Sequence, residues 1–389
     1  MMNNLSNKSL HKNLNKAKAF FSKPSNVLLI SFIIVLCVTV LFPLLNFTLD
    51  SFIVHSGEVR KIGLDKGSFT LRHWIDLLTD SEYDYAKVIF WKPLANSLLM
   101  AIMACLIAVI GGGLMAYFIT RTDIPAKKFI STVFIFPYIM PSWSIAMFWE
   151  NFFKNSNISA CYNQVGVLQA LTGACVPEWF LYGMLPCAIC LGIHYMPFAY
   201  ILIGGILRNM DANLEEAATI LKASRGKIMR RITLPIVMPA LISTILLVFA
   251  SSVSSYTVPT FLNKNNSFTV LSTQMKSLLG NNNYIGQGYV VAIALLMFSL
   301  VIMTINNSYT GKRKSFTTVT GKSGQVSLVK LRNWKYLITP LSIILVVFIS
   351  IVPLISFAVE SFLKVPGDLS TFTTYYWTTH DQIELRMFV

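Results

Sequence analysis

The residues with the most distinctive types and spacing lie between Asn213 and Pro235, where Glu216-Ala217-Ala218 precedes Lys222-Ala223-Ser224 and a closing Ile232-Thr233-Leu234-Pro235. The spacing predicts two short helices joined by a turn. Asn213 is placed to cap the first, with Glu216 three residues on completing a capping box. Ala217, Ala218, Ile220 and Leu221 give that helix a compact, partly apolar face. Ser224 is placed to cap the second, whose Lys227, Arg230 and Arg231 fall near a membrane surface. Pro235 is expected in the first turn of the span that follows, where its missing N–H costs little. This is contact chemistry. Small side chains beside a carboxylate offer a surface to another protein and break no bond.

Catalytic arrangements are not found. Cys187 and Cys190 have redox-motif spacing, but on an apolar helix outside any βαβ unit they read as packing. His194 is the one titratable group expected inside a membrane span, and it reads as hydrogen-bonded between helices. Gly321-Lys322-Ser323 fails as a phosphate-binding loop, because Phe316 stands where a glycine is required. No metal-ligand or nucleophile cluster appears, so the sequence predicts a chain that is not an enzyme and binds no cofactor itself.

The elements that would position these residues are membrane spans. Only 13% of the 389 residues are charged and 54% are hydrophobic, against about 25% charged in a soluble domain. Seven apolar segments reach the roughly 20 residues that a crossing helix needs: 27–49, 93–120, 129–149, 180–207, 236–256, 285–310 and 336–359. None contains Lys, Arg, Asp or Glu. The net charge of +15 therefore sits in loops and tails, without the basic-aromatic stripe of a nucleic-acid binder.

Positive residues are retained on the cytoplasmic side. With the N-terminus inside, 21 of the 32 Lys and Arg fall in inside segments. The expectation is a multi-pass protein of a bacterial plasma (inner) membrane, its N-terminus cytoplasmic and its C-terminus external. The first segment is too long for a signal-peptide core and lacks a cleavage site, so it reads as a retained anchor. Cys161 and Cys175 share an external loop, and spacing leaves their pairing open. In the long loop 50–92, the run from Leu71 to Leu78 is amphipathic, fitting either a helix at the outer interface with Trp74 at headgroup depth or a solvated loop. The serine-rich run Ser251–Ser255 fits pathway lining and close helix packing equally.

After a Lys-, Ser- and Gly-rich linker, 311–335, the sequence begins again. Pro43-Leu-Leu-Asn-Phe-Thr-Leu-Asp-Ser-Phe52 aligns with Pro353-Leu-Ile-Ser-Phe-Ala-Val-Glu-Ser-Phe362, and Phe69-Thr70 with Trp74 recurs as Phe372-Thr373 with Trp377. Two matches in the same order argue for duplication. The predicted fold is an all-α membrane protein: a tail at 1–26, a six-span core at 27–310 with the loop 213–235, the linker 311–335, and a second, incomplete copy at 336–389 opened by a seventh span.

The loop resembles the EAA loop of binding-protein-dependent ATP-binding-cassette importer permeases of the type I fold. Glu216-Ala217-Ala218, Ile232 and Leu234-Pro235 stand at the family's spacing, and Ala223-Ser224 fits its continuation. Lys222 departs from the family, which has Gly there. Asn96-Ser97 opening the second span, Pro137 and Pro141 interrupting the third, and the stretches Tyr256–Pro259 and Phe268–Leu271 resemble the family at other points. The resemblance implies that Glu216, Ala217 and Ala218 sit in a groove of a cytoplasmic ATPase dimer, which binds ATP and magnesium. It also implies an extracytoplasmic solute-binding protein, surrounding membrane lipid and a second permease core, supplied by a missing half, a separate subunit or a homodimer. The double architecture resembles fused ferric-iron permeases. Ferric iron is thus the first substrate expectation, with thiamine, polyamines and phosphonates as rivals. The alternative functions are an ATP-independent carrier or channel and, more remotely, a scaffold that only recruits an ATPase.

Overall fold

The computed structural model describes residues 23–79, 84–158, 165–210, 212–264, 268–311, 328–364 and 371–378. In chain order the principal helices are α1 Pro24–Asp50, α2 Arg72–Thr79, α3 Lys87–Arg121, α4 Lys127–Ile139, α5 Ser142–Phe153 and α6 Glu178–Asn209. They continue with α7 Ala212–Ile220, α8 Arg225–Val253, α9 Thr257–Leu262, α10 Leu271–Leu279, α11 Ile285–Gly311 and α12 Arg332–Glu360. Among the described residues only three isolated bridges interrupt the helical pattern. Helices α1, α3, α6, α8, α11 and α12 are each long and apolar enough to cross a membrane.

The expected third span is a bent pair, α4 and α5, meeting at 99°. Pro141 causes the break. The ring of a proline drives the preceding residue out of the helical region, and Met140 is extended at φ −69°, ψ 143°.

Four other prolines are absorbed without a break. Pro43, Pro93, Pro235 and Pro353 each follow by two residues a π-helical turn, at Cys37–Leu41, Lys87–Trp91, Met229–Thr233 and Val347–Ile351. A proline ring collides with the carbonyl four residues back and offers it no N–H. The wider turn moves that carbonyl aside. Pro235 therefore lies inside α8, which starts ten residues earlier than the first-turn placement expected for it.

The chain divides into two compact units, Met1–Thr79 with Ser277–Ile293, and Asp80–Lys276 with Ala294–Val389. In the first, Glu58 is buried and accepts backbone N–H groups from His55 at 3.0 Å and Gly286 at 2.8 Å. His73 lies 3.5 Å from the same carboxylate, and burial holds its pKa below the ordinary histidine value. The ring of Trp74 stacks on Phe52 and its N–H reaches the Ser51 hydroxyl. Phe52 also stacks on Phe69, at 5.7 Å and 10°.

The second unit contains the same aromatic stack. Phe362 lies 5.6 Å from Phe372 at 9°, and 5.6 Å from Trp377 at 18°. Bridges Ile53–Phe69 and Leu363–Phe372 occupy matching places.

At the centre of the second unit α3 and α6 run parallel, Gly192 facing Ile107, Gly112 facing Met196, and Gly204 facing Ala116 and Thr120. The connecting chain, α4 and α5 included, must therefore return along that unit despite its bend. His194 contributes to the corner, one ring nitrogen lying 2.8 Å from the carbonyl of Pro137. Cys187 and Cys190 are buried in the packing; Cys175 is exposed, and Cys161 falls outside the described residues. Of the serine run, Ser252 is buried whereas Ser251 and Ser254 are exposed.

Gly112 sets the separation of α3 and α6. A Cβ there would stand 2.3 Å from the Met196 carbonyl and 2.6 Å from Ala199 Cβ, whereas one on Gly113 would meet only Ile203 Cδ1 at 3.6 Å. Gly112→Ala is expected to cost about 3 kcal/mol through helix displacement and to lower the melting temperature in detergent. Gly113→Ala should melt like the parent.

Candidate functional site

The loop anticipated at 213–235 forms α7, a tight turn and the first turns of α8. Asn213 is not the cap. The helix already includes Ala212, so Asn213 lies in its first turn, whereas a cap residue must keep non-helical backbone. Ser224 does precede the next helical turn, but its carbonyl, not its hydroxyl, accepts from Lys227 and Ile228 at 2.9 and 3.0 Å.

The end of α7 explains the turn. Ala223 N–H reaches back to Ala218 O at 3.0 Å, and Lys222 N–H to Thr219 O at 2.9 Å. This pair of bonds is the Schellman closure, whose penultimate residue must take a left-handed conformation. Lys222 does so, at φ +55°. Glycine adopts that conformation freely, while an L side chain pays roughly 1 kcal/mol. Lys222→Gly is accordingly expected to be tolerated and to slow hydrogen exchange at the end of α7 by about fivefold, the equivalent of ~1 kcal/mol.

The two neighbouring glutamates have opposite surroundings. Glu216 and Ala217 are exposed, and Ala218 is half-buried. Leu214, Ala217, Ala218 and Leu221 follow one another at the spacing of a single helical face, with Leu221 and its neighbour Ile220 each 81% exposed. Glu215 turns inward. It forms an ion pair with Arg121 at the end of α3, whose side chain is 1% exposed, and accepts the Thr233 hydroxyl at 2.8 Å. Helix α7 is thus held from one side by charge while an apolar edge stays uncovered on the other. Of the remaining anticipated residues, Ala223 and Ile232 are half-buried, and Ser224, Leu234 and Pro235 are exposed on the same loop.

Arg121, Glu215 and Thr233 were not singled out by sequence. Arg121 reads locally as one more basic residue at a span end, and its partner is distant in the chain. The signal available was weak: one of two adjacent acids had to face inward. Two other marks, noted separately, come together. Asn96 donates to Thr269 O at 2.9 Å, and Ser97 Oγ accepts from Leu271 N–H at 2.7 Å, fastening the start of α3 to the 268–271 loop. Beside that loop, which Asn263 joins through Phe268, Glu150 accepts from Tyr182 at 3.0 Å and pairs with Lys264.

Residues 108–310 match the family described as binding-protein-dependent transport system inner membrane component. The chain belongs to that family. The permease is 27% identical over 244 residues to a putative ferric transport system permease protein FbpB 1 of Haemophilus influenzae, an alignment covering 62% of this chain and 37% of that one. It is 27% identical over 234 residues to the ferric transport system permease protein FbpB of Actinobacillus pleuropneumoniae, covering 60% and 33%. A probable sulfate transport system permease protein cysT of Prototheca wickerhamii is 26% identical over 221 residues, covering 54% and 79%. The permease spans about a third of the length of the ferric relatives. Its fold is that of a bacterial ABC transporter involved in import of the acidic polysaccharide alginate, with a TM-score of 0.55 at 16% identity, covering 79% of this chain and 99% of that one. It is therefore a multi-pass inner-membrane component of a binding-protein-dependent transport system.

Proposed function

We propose that this permease couples solute passage to a separate cytoplasmic ATPase through α7, and that the solute is ferric iron. The observation that carries the coupling is the one-sided anchoring of that helix: Glu215 fixed to Arg121 and Thr233, and Leu214, Ala217, Ile220 and Leu221 left bare. In this reading Glu216, Ala217 and Ala218 enter the ATPase groove, ATP and magnesium are bound by that partner, and an external binding protein delivers the solute. Iron is favoured by the two ferric relatives. The sulfate relative and a 2-aminoethylphosphonate relative name the competing solutes.

Residues 336–389 are read as the opening of a second permease copy, supported by the repeated Phe-Phe-Trp stack and by the paired π turns before Pro43 and Pro353. The N-terminus is assigned to the cytoplasm. Its support is that basic segments converge: Arg121 meets Glu215, Thr122 pairs with Val329, and Arg225 donates to Lys330 O. Co-purification of the ATPase with the permease, followed by ATP-dependent uptake of labelled ferric iron, sulfate or phosphonate, tests coupling and solute together. A thiol probe should reach Trp179→Cys from outside and Leu221→Cys only after the membrane is opened. The reverse pattern would refute the orientation and remove α7 from the cytoplasm.

A further inference from the structure

Three consecutive residues at the end of α3 hold three separate elements. Arg121 carries the Glu215 ion pair, and Glu215 also accepts from Thr233 near the start of α8. Thr122 bridges Val329: Val329 N–H donates to Arg121 O at 2.8 Å, and Asp123 N–H to Val329 O at 3.3 Å. The Asp123 carboxylate accepts from Leu331 N–H at 2.7 Å, immediately before α12 begins. That N–H holds the Asp123 carboxyl below the usual carboxylate range. Arg225, following the α7 turn, donates to Lys330 O at 3.4 Å.

These contacts constrain motion. A guanidinium as buried as that of Arg121 is costly to leave unpaired, so α7 cannot shift while Arg121 stays behind. The backbone rungs from Arg121 and Asp123 then carry residues 329–331, and with them the root of α12. The geometry points to Arg121-Thr122-Asp123 as a relay that delivers movement of α7 to the root of α12. The inference rests on the coupling role proposed for α7. Arg121, Glu215 and Asp123 act in it as positioning residues, touching neither solute nor nucleotide.

The test uses the full chain in nanodiscs, in a cysteine-free background, with a spin label at Tyr336→Cys, a position 74% exposed. Adding the ATPase with a non-hydrolysable ATP analogue should change the label's mobility. Asp123→Ala keeps the backbone rungs to Val329 but releases Leu331 and should weaken that change, while Asp123→Asn, whose amide oxygen still accepts from Leu331, should retain it. The double variant Arg121→Gln with Glu215→Gln leaves no orphan charge and should lose the response. ATPase co-purification is measured for every variant and should stay at the parental level in Asp123→Ala and Asp123→Asn. An unaltered response in Asp123→Ala and in the double variant would overturn the relay, as would an unresponsive label in a parent that binds the ATPase. A parent that fails to bind the ATPase would instead bring down the coupling role, and the relay with it.

Discussion

Glu216→Lys or Ala217→Asp should leave the permease inserted and folded but sever it from its ATPase. Neither parental side chain is buried, so the folded chain has little to lose at these positions. In an interface the same changes reverse a charge or desolvate a new one against a small-residue contact, each worth several kcal/mol. A loss of about 3 kcal/mol weakens binding by roughly two orders of magnitude. Co-purification and ATP-driven uptake should therefore collapse together while the melting temperature holds. Glu215→Lys provides the contrast. It sets a second cation beside buried Arg121 and should reduce the yield of folded protein before any partner is added, since breaking a buried pair costs about 3–5 kcal/mol. Parental uptake by Glu216→Lys and Ala217→Asp would remove α7 from the coupling role.

The permease reconstituted with ATPase and binding protein, and no other membrane subunit, is expected to show no ATP-driven uptake. Activity should return when a second six-span core is supplied. The physical ground is an asymmetry between two helices of matching sequence. Helix α12 is packed: Val346 and Ile349 are buried, Phe348 lies 5.9 Å from Phe148 and 5.5 Å from Phe152, and Glu360 accepts from Asn151 at 2.9 Å. Helix α1 has no buried residue in its apolar window. If α12 opens a second copy and covers the first core, α1 has an equivalent surface to cover on a second core. Efficient uptake by a monomeric permease would contradict this reading.

Hydropathy alone marked the spans because charge is excluded from a bilayer interior at a cost of several kcal/mol, a constraint that acts all along the apolar middle stretches of α1, α3, α6, α8, α11 and α12. The EAA spacing was legible for a similar reason, since its small residues and closing proline are local. Pairings over long stretches of chain were not legible. Nothing near Arg121 announces that it will be buried, and nothing distinguishes Glu215 from Glu216 until α3 and α7 are brought together. The bend after Ile139 was half-legible: Pro137 and Pro141 marked an interruption, but not its 99° angle. Asn213 misled because its capping pattern fits a helix beginning two residues later than this one does.

The π turns before Pro43, Pro93, Pro235 and Pro353 also bear on how side chains are assigned to the solute route. Each inserts about one extra residue into its helix, and one residue corresponds to about 100° of rotation about the axis. A helical wheel drawn straight through α8 therefore combines two different azimuths, one for residues before the turn and another for those after it. Substituted-cysteine scanning of α8 or α12 should show its reactive stripe stepping sideways at the π turn, so the two stretches need separate phase origins before any position is counted as lining a channel.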